Sequence, residues 1–480
     1  MTRRIFIFED QVRFARLSGD YNPIHIDAVA ARRFLFGQPI VHGIHALLWG
    51  LHVWLCDQQG PIRLSRLNVL FRSPIHLGEP IEFKLQHKAP GFVQLDATAY
   101  GADLLTATVG WQSGTDGGIN INSELLERSA CRQWSPNKDQ PPAGEVPLQL
   151  NRASAVELFP SAARCLPVEQ LAVLLATTRL VGMEAPGLNS IYNCLDLTAE
   201  ERAPGDKQSL YYRTESYDER FSLLTLRVKA PGFQGSLSAV RRPMPATQAS
   251  FVEMRQRVNG QEFVGQRALV IGGSRGLGEV AVKALCAGNA VVKFSYHRGA
   301  EEAQVIAAEV TSGGGTAACF AYDVRTDSDQ LVRQTGDWSP TILCYFATPF
   351  VFSSIQGRFV QPLFDRLSDT YIEGFVRTFH ALLVPGNSLR DVLYPSSTAI
   401  DELLPNMGEY AAAKAAAETL CRFLERMHPS IRFHYPRLPR MATDQTVSLL
   451  PTESADARDV VLSLLRGICT AFRSDRPKNQ

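Results

Sequence analysis

A glycine-rich loop stands between an apolar run and a helix-like stretch in the C-terminal half of this chain. Arg267–Ile271 is apolar enough for a buried strand, the loop Gly272–Gly278 follows it, and residues 279–286 have helical spacing. Glycines in such a loop let the backbone approach a phosphate group at the start of a helix, where unpaired N–H groups attract anions. Strand-like and helix-like segments continue to alternate up to residue 346, which predicts a parallel sheet covered by helices on both faces.

Three further motifs follow this loop. Asp323-Val324 comes after a later strand-like segment, Lys414 stands one helical turn after Tyr410, and Ser397 precedes that tyrosine by thirteen residues. Together with the loop they resemble the short-chain dehydrogenase/reductase family over residues 264–475, which implies an α/β Rossmann domain with a doubly wound parallel sheet. Without the rest of the combination, Tyr410 and Lys414 would be ordinary residues of a surface helix.

The resemblance implies a nicotinamide-dependent site with three catalytic residues. Ser397 would hold the substrate oxygen, Tyr410 would exchange a proton with it, and Lys414 would hold the nicotinamide ribose and lower the tyrosine pKa. The residues that the resemblance assigns to cofactor binding are Gly272, Ser274, Arg275, Gly276, Leu277, Gly278, Arg298, Asp323, Val324 and Lys414.

The charges near the loop favour one of the two nicotinamide cofactors. Arg275 lies in the loop, and His297-Arg298 follows the second strand, where an acidic residue would bind the ribose of NADH. Cations suit a 2′-phosphate, so we expect NADPH. Two departures from the family pattern are Phe346-Ala347-Thr348-Pro349 and Tyr371 or a near neighbour in place of an asparagine. They leave open a reductase region that is slow, that relays protons differently or that is retained mainly for structure.

The second segment that carries chemistry is a tight loop near the N-terminus, residues 18–25 (SGDYNPIH). Gly19 and Pro23 bend the backbone so that Asp20 and His25 can face one pocket. A carboxylate beside an imidazole is a common acid–base pair. The same residues also form ordinary turns, and His25 could cap a backbone group, so the loop alone supports both interpretations.

The surroundings of this loop closely resemble the MaoC-like, or type 2, enoyl hydratases and dehydratases of the hot-dog fold. The resemblance extends over residues 5–112 and includes Ile40-Val41-His42-Gly43 and Phe71-Arg72-Ser73-Pro74-Ile75. It implies that Asp20 and His25 act as acid and base on (R)-3-hydroxyacyl and trans-2-enoyl thioesters. The amide of Gly43, at the start of a helix, would polarise the thioester carbonyl, since helix N-termini present unpaired N–H groups. The residues expected to bind substrate are Asn22, His42 and Gly43.

The remaining segments complete the expected domain plan. We expect a hot-dog domain over 1–114, a linker over 115–150, a degenerate second hot-dog over 151–245 and a second linker over 246–263. The pentapeptide 88–92 (KAPGF) recurs at 229–233, which favours a repeat, although a separate scaffolding domain would also fit. The overall fold class is therefore a double hot-dog of the α+β class followed by the Rossmann domain.

Composition limits the partners and the setting. The net charge of +1, from 49 basic and 48 acidic residues, indicates neither nucleic acid nor an anionic membrane as a partner. The nine cysteines form no Cys-x-x-Cys pair, which fits a reducing cytoplasm. His42, His45 and His52 have helical spacing but no carboxylate or cysteine at ligand spacing, so we interpret them as pocket or core histidines and expect no metal.

The two sites together indicate consecutive steps on one thioester. We expect reduction of a 3-oxoacyl thioester at Tyr410, followed by dehydration at Asp20 and His25, with the acyl group on acyl carrier protein or coenzyme A. Three alternatives remain: hydration and NAD-dependent oxidation in acyl-CoA degradation, an active dehydratase with a non-catalytic docking region, and a non-catalytic acyl-binding protein. A homodimer through the reductase domain is a further expectation.

Overall fold

The computed structural model describes residues 2–114, 121–200, 207–326, 328–336, 338–352, 357–449 and 452–474. The chain forms two compact units. Unit 1 consists of Met1–Met244 with Ser448–Pro451, and unit 2 consists of Pro245–Val447 with Thr452–Gln480. This division lies close to residue 246, where we expected the second linker to begin; the domain bounds themselves stay predictions.

Unit 1 contains one long antiparallel sheet and seven helices within its described residues. Its strands are β1 Thr2–Ile5, β2 Ile62–Phe71, β3 Pro80–Ala89, β4 Phe92–Ala99, β5 Ala102–Ser113, β6 Ala143–Pro147, β7 Ser190–Ala199, β8 Ser209–Asp218, β9 Leu223–Ala230 and β10 Phe233–Arg241. Its helices are α1 Phe8–Ser18, α2 Pro23–Ile26, α3 Ala28–Ala31, α4 Gly43–Leu55, α5 Arg152–Leu158, α6 Pro160–Cys165 and α7 Val168–Arg179, the last continued by the π-helical turn Leu180–Glu184.

The sheet of unit 1 joins two halves through the antiparallel pair β2–β7. The order of its strands is β1-β3-β4-β5-β2-β7-β10-β9-β8-β6. The first half, with the apolar helix α4 against its sheet, has the hot-dog arrangement. The alternation of buried and exposed residues along β2 follows from one face lying on this helix and its neighbours. A single hydrophobic core extends from Phe6 to Ala239, so the two halves pack as one body.

Counted outward from β2 and β7, the two halves have the same strand order, which supports the predicted repeat. The recurring pentapeptide KAPGF does not support this repeat. Its first copy forms the β3–β4 turn and its second the β9–β10 turn, which occupy different places in the two halves. The residues match because both tight turns place a glycine at positive φ, Gly91 at 75° and Gly232 at 79°.

Part of the expected linker 115–150 is a strand. Residues 143–147 form β6, which pairs with β8 at the edge of the sheet. Pro142 and Pro147 made this segment look like a connection, but proline is compatible with an edge strand because no neighbour needs its missing N–H. The degenerate second hot-dog itself stays a prediction.

Unit 2 alternates strands and helices. Its strands are β11 Arg267–Ile271, β12 Val291–Tyr296, β13 Thr316–Ala321, β14 Ile342–Tyr345, β15 Asp391–Leu393, β16 Ser396–Ser397, β17 Arg432–His434 and β18 Arg437–Leu438. Its helices are α8 Phe251–Arg257, α9 Gly276–Ala287, α10 Ala300–Ser312, α11 Asp329–Thr335, α12 Gln361–Ser368, α13 Gly374–Ala381, α14 Ala399–Glu402, α15 Gly408–Met427 and α16 Ala457–Ser474. The π-helical turn Asp369–Glu373 joins α12 to α13, and a 3₁₀ turn spans Asp444–Thr446.

The main sheet of unit 2 is parallel, with the order β13-β12-β11-β14-β15-β17. This is the doubly wound Rossmann order, in which the direction of winding reverses between β11 and β14. Ligands of such sheets bind at the carboxyl ends of the strands, next to this reversal. Within the described part of the chain, none of the helices combines the length and the apolar character that a membrane crossing needs.

Candidate active sites

The loop that carries Asp20 and His25 is shaped by the ends of two helices. Helix α1 ends at Ser18, and Gly19, at φ 74°, donates its N–H to the carbonyl of Ala15 at 2.8 Å. Helix α2 then begins at Pro23, and the preceding residue, Asn22, caps it by accepting from the amide of Ile24. Because a left-handed glycine closes one helix and a proline opens the next, the chain reverses between them and both side chains turn into unit 1.

The Asp20 carboxyl group is buried and accepts two hydrogen bonds. Thr178 donates its hydroxyl to Asp20 Oδ2 at 2.7 Å, and the amide of Asn22 donates to Oδ1 at 3.2 Å. Burial raises the pKa of Asp20 to about 6, and the two hydrogen bonds oppose this rise. The carboxyl group can therefore hold or release a proton near neutral pH.

His25 is fixed in one tautomer and stays neutral. Its Nδ1 lies 2.9 Å from the carbonyl oxygen of Ile40, so this nitrogen carries the proton and Nε2 keeps a free lone pair. Burial lowers the pKa of His25 to about 4; the nearby Arg242 guanidinium acts in the same direction, and the hydrogen bond to Ile40 opposes both. The ring also stacks on that of His42, with the centroids 3.8 Å apart.

His42 is fully buried and contacts both Asp20 and His25. Its Nδ1 lies 2.9 Å from Gln11 Oε1, and its Nε2 lies 3.1 Å from the backbone oxygen of Asp20. Burial lowers the pKa of His42 well below its ordinary value. We expected this residue to bind substrate, but these contacts give it the position of a support for His25 and the loop.

Asp20, His25 and His42 bring one ligand atom each within 4.8 Å of one another, a cluster that sequence spacing had not indicated. The two imidazole planes are inclined by only 26°, and both ring nitrogens of His42 already face oxygen atoms, those of Gln11 and Asp20. This geometry suits a proton-transfer pair better than a metal centre. His45 lies in the core, stacked on Phe14.

Asn22 does not occupy the position of a substrate ligand. It is fully buried, and its Nδ2 lies 3.0 Å, 3.2 Å and 3.3 Å from the carbonyl oxygens of Gly182, Gly187 and Leu188. These carbonyls belong to the second half of unit 1. Its side chain therefore clamps the loop 18–25 to that half, which corrects our expectation that it contacts substrate.

Gly43 is the first residue of α4, as the sequence predicted. A Cβ atom at this position would lie 2.7 Å from the ring of Phe71, so only glycine lets the helix start approach this ring. The first amides of a helix have no intrahelical acceptor, which leaves the Gly43 N–H suited to a thioester carbonyl.

Two residues near Asp20 were absent from the sequence-based site. Thr178 lies on α7, and Gly182 lies on the π-helical turn that follows. A Cβ atom at Gly182 would lie 2.1 Å from Asp20 Oδ1, so the carboxyl group fits only against glycine. Both residues are more than 150 positions from the loop, and no local pattern connects them with it.

The glycine-rich loop of unit 2 lies at the carboxyl end of β11. Gly272, at φ 80°, passes Ala347 so closely that a Cβ atom would lie 2.9 Å from its amide nitrogen. A Cβ atom at Gly278 would lie 2.1 Å from the carbonyl oxygen of Gly272. Both positions therefore require glycine, and they bring the start of α9 against the loop, with Ser274, Gly276 and Leu277 between them. This cradle fits a dinucleotide phosphate.

The two arginines near the loop differ in whether their charge is already paired within the protein. Arg275 donates to Asp444, which is buried, at 2.9 Å. Its charge is thus already paired, which corrects our expectation that it holds a 2′-phosphate. Arg298 is exposed beyond the end of β12, and no ion pair is seen for it among the described residues.

Asp323 and Val324 follow β13 at the same edge of the sheet. Both Asp323 oxygens accept from Arg325, at 2.9 and 2.7 Å, and this hydrogen bonding holds the carboxyl pKa at about 2. His297 lies 3.2 Å from the same carboxylate, which brings the ends of β12 and β13 together. The carbonyl of Val324 accepts from Arg377 at 2.6 Å.

Ser397, Tyr410 and Lys414 come together next to this edge. The hydroxyl groups of Ser397 and Tyr410 share a hydrogen bond, while burial raises the pKa of the tyrosine. Lys414 Nζ donates to the carbonyl of Pro395 at 2.7 Å and lies 5.9 Å from the centroid of the Tyr410 ring. Burial lowers the pKa of Lys414 to about 7.

The two departures from the family pattern meet at this site. Tyr371 lies on the π-helical turn Asp369–Glu373, with its ring 4.0 Å from Lys414 Nζ. Its hydroxyl group hydrogen-bonds the hydroxyl of Thr348, which belongs to the unusual segment after β14. The lysine is thus enclosed by tyrosine rings, those of Tyr371, Tyr394 and Tyr410.

Comparison with known proteins agrees with this division. The family model described as MaoC like domain matches residues 3–102, and the model described as short chain dehydrogenase matches residues 266–446. The chain is 37% identical over 111 residues to (R)-specific enoyl-CoA hydratase from Aeromonas caviae, covering 22% of this chain and 72% of that enzyme.

Two other relatives match one region each. Fatty acid synthase subunit beta from Gibberella zeae is 33% identical over 84 residues, covering 17% of this chain and 4% of the subunit. A short chain dehydrogenase/reductase from Cryptosporiopsis sp. is 29% identical over 169 residues, covering 34% of this chain and 63% of that protein. The chain thus spans less than two thirds of either of these two relatives.

The hydratase is matched over most of its length, and the two family models fall on separate units of the structure. The N-terminal match contains Asp20, His25 and Gly43, and the C-terminal match contains the glycine loop, Ser397 and Tyr410. The chain therefore belongs to the MaoC-like hydratase family through its N-terminal region and carries a short-chain dehydrogenase region at its C-terminus.

Proposed function

We propose that this chain reduces 3-oxoacyl thioesters and dehydrates the resulting (R)-3-hydroxyacyl thioesters in a biosynthetic cycle. The observation that carries the proposal is the pair of buried Asp20 and half-buried His25 beside the start of α4, in a chain that also holds Ser397, Tyr410 and Lys414 together. A reductase product is the substrate of a dehydratase, so the two sites supply consecutive steps.

In the dehydration step, His25 Nε2 accepts the proton from the α-carbon. The electron pair of that C–H bond forms the double bond, and the bond between the β-carbon and its hydroxyl oxygen breaks. Asp20 gives its proton to the departing hydroxyl, which leaves as water. The raised pKa of Asp20 and the bare Nε2 of His25 support these roles, and the Gly43 N–H would stabilise the negative charge on the thioester oxygen.

In the reduction step, Tyr410 donates a proton to the ketone oxygen and Ser397 orients that oxygen. The nicotinamide cofactor, held by the cradle of Gly272 and Gly278, would supply the hydride. The closely packed cradle fits such a group. Lys414, next to Tyr410, would favour the ionised form of the tyrosine after the transfer. Because the Lys414 ammonium donates a hydrogen bond to the carbonyl of Pro395, its contact with the cofactor ribose stays a prediction.

We infer that the cofactor is NADPH. This inference rests on the exposed Arg298, because the charge of Arg275 is paired with Asp444. The exposed guanidinium at the end of β12 suits a 2′-phosphate. Replacement of this residue, Arg298→Ala, should raise the dissociation constant for NADPH about tenfold and leave that for NADH nearly unchanged. Equal effects on both cofactors, measured by calorimetry, would contradict this assignment.

The separate activities provide the main experiment. Purified variants receive a 3-oxoacyl thioester and NADPH, and mass spectrometry follows the products. Asp20→Asn and His25→Asn should stop at the 3-hydroxyacyl thioester, whereas Tyr410→Phe should fail to consume the ketone but still dehydrate added 3-hydroxyacyl thioester. Near-normal enoyl formation by Asp20→Asn would exclude the proposed dyad.

A second candidate is a dehydratase whose C-terminal region is not catalytic. The enclosure of Lys414 by tyrosine rings and its bond to Pro395 favour this alternative. Calorimetry with NADPH and NADH distinguishes the two, because a docking region would bind neither cofactor. The carrier, the direction of flux, the cytoplasmic setting and the homodimer remain predictions.

A further inference from the structure

We propose that Thr178 and Gly182, from the second half of unit 1, are positioning residues that fix the orientation and proton affinity of Asp20. This inference rests on the proposed role of Asp20 in proton transfer. It gives residues 151–244 a part in the chemistry, beyond completing the sheet.

The first observation is a direct hydrogen bond between the two halves. The hydroxyl of Thr178 donates to Asp20 Oδ2 at 2.7 Å, and both residues are buried. The other carboxyl oxygen accepts from the amide of Asn22. These two donors, one at each oxygen, hold the carboxyl group in one orientation.

The second observation is the fit of Asp20 against Gly182. A Cβ atom on this glycine would lie 2.1 Å from Oδ1, 2.6 Å from Cγ and 2.7 Å from Oδ2 of Asp20. Every larger residue would thus displace the whole carboxyl group. The carbonyl of the same glycine accepts from Asn22 Nδ2 at 3.0 Å, so one residue of the π-helical turn touches the loop twice.

The titratable groups around Asp20 are uncharged, so the hydrogen bond from Thr178 is left as the main control on the pKa of Asp20. His25 and His42 face it from α2 and from the start of α4, and burial keeps both rings neutral at neutral pH. Cys131 also lies within electrostatic range, and burial raises its thiol pKa to about 12, so it is uncharged as well. A hydrogen bond to the ionised form is therefore the main influence that opposes the effect of burial on Asp20.

The test measures the protonation of Asp20 directly. Protein labelled with carbon-13 at aspartate carboxyl groups is titrated by NMR, and the Asp20 signal is identified by its absence in Asp20→Asn. We expect Thr178→Val to raise the Asp20 pKa by about one unit, and Thr178→Ser, which keeps the hydroxyl, to restore it.

The neighbouring threonine provides a matched control. Thr177 is buried on the same helix, but its hydroxyl donates to the carbonyl of Leu174 within α7. Thr177→Val should leave the Asp20 titration unchanged. A Thr178→Val protein that titrates like the wild type would overturn the inference, and so would an equal shift in both valine variants.

A kinetic test examines the role of Gly182. Gly182→Ala should lower the kcat for hydration of a short trans-2-enoyl-CoA about a hundredfold with little change in KM, because a displacement of about 1 Å is costly in a proton-transfer site. Gly144→Ala, on β6, is the control, since its Cβ atom meets only the far end of the Tyr212 side chain. Wild-type kcat in Gly182→Ala would contradict the inference.

The two tests also separate the inference from the proposed function. If Asp20→Asn keeps its hydratase activity, the proposed function fails, while the NMR titration still reports whether Thr178 controls this carboxyl group. If Asp20→Asn is inactive but the Thr178 and Gly182 variants behave like the wild type, only the inference fails.

Discussion

Replacing Asn22 with aspartate tests whether this residue clamps the fold or binds substrate. The side-chain amide donates toward three backbone carbonyl oxygens at 3.0–3.3 Å and has no exposure to solvent. A carboxylate in its place would be a buried charge facing three partial negative charges. We therefore expect Asn22→Asp to destabilise unit 1 strongly at neutral pH.

The magnitude follows from the pKa that the new carboxyl group would acquire. If burial and the three carbonyls raise its pKa by about three units, at about 1.4 kcal/mol each, the free energy of unfolding falls by about 4 kcal/mol at pH 7. Because the pKa of the folded state is the higher one, this loss shrinks below pH ~4, where both states are protonated, and it grows as the pH rises from there toward 7.

Urea unfolding followed by tryptophan fluorescence provides the assay. Four of the five tryptophans, at positions 49, 54, 111 and 134, lie in unit 1, so the signal reports mainly on that unit. Asn122→Asp is the control, because this exposed side chain accepts from the amide of Glu124 through an oxygen that aspartate retains. Wild-type stability of Asn22→Asp with a raised KM would refute the clamp and restore the role in substrate binding.

Three other predictions concern the two sites. Gly278→Ala should weaken NADPH binding at least tenfold in calorimetry, since its Cβ atom would lie 2.1 Å from the Gly272 carbonyl, whereas Gly260→Ala, with open space around it, should bind normally; equal binding by both variants would contradict the cradle. The kcat/KM for dehydration should decline as the pH rises through about 6, because Asp20 loses the proton that it donates, and a constant value from pH 6 to 8 would exclude that role. Burial lowers the pKa of Lys414 in the folded state to about 7, below its value in the unfolded state. The free energy of unfolding therefore decreases as the pH falls toward 7, because the unfolded state binds the proton more readily. Lys414→Met should thus raise the Tm in calorimetry more at pH 6 than at pH 9, and an equal change at both would contradict the burial of the charge.

The residues that sequence could predict are those whose chemistry lies in one short segment. The glycines of the nucleotide loop, the pair of Asp20 and His25, and the spacing of Tyr410 and Lys414 are all local patterns. The structure has the glycine loop at the end of β11 and the tyrosine and lysine one turn apart on α15.

The residues that sequence missed depend on contacts between distant segments. Thr178 and Gly182 reach Asp20 only because the second half of unit 1 packs on the loop 18–25, and a threonine or glycine in an apolar helix carries no sign of that. Asn22 looked like a site residue because it lies beside one, while its partners are about 160 positions away. Arg275 carried the expected charge, but its partner, Asp444, follows β18.

Strand β6 and the repeated pentapeptide show that local sequence patterns can also be misinterpreted. A short edge strand between prolines has the composition of a connection, and only its pairing with β8 identifies it. The pentapeptide reflects a turn that many hairpins need, so its recurrence indicates similar local geometry at two unrelated places in the strand order.

The addition of water across an enoyl thioester most directly tests the central claim. Wild-type protein, Asp20→Asn and His25→Asn are incubated with a trans-2-enoyl-CoA in oxygen-18 water, and the 3-hydroxyacyl product is weighed by mass spectrometry. We predict one oxygen-18 atom in the wild-type product and at least a hundredfold slower incorporation in both variants. Incorporation at the wild-type rate in either variant, or none in the wild type, would contradict the acid–base pair.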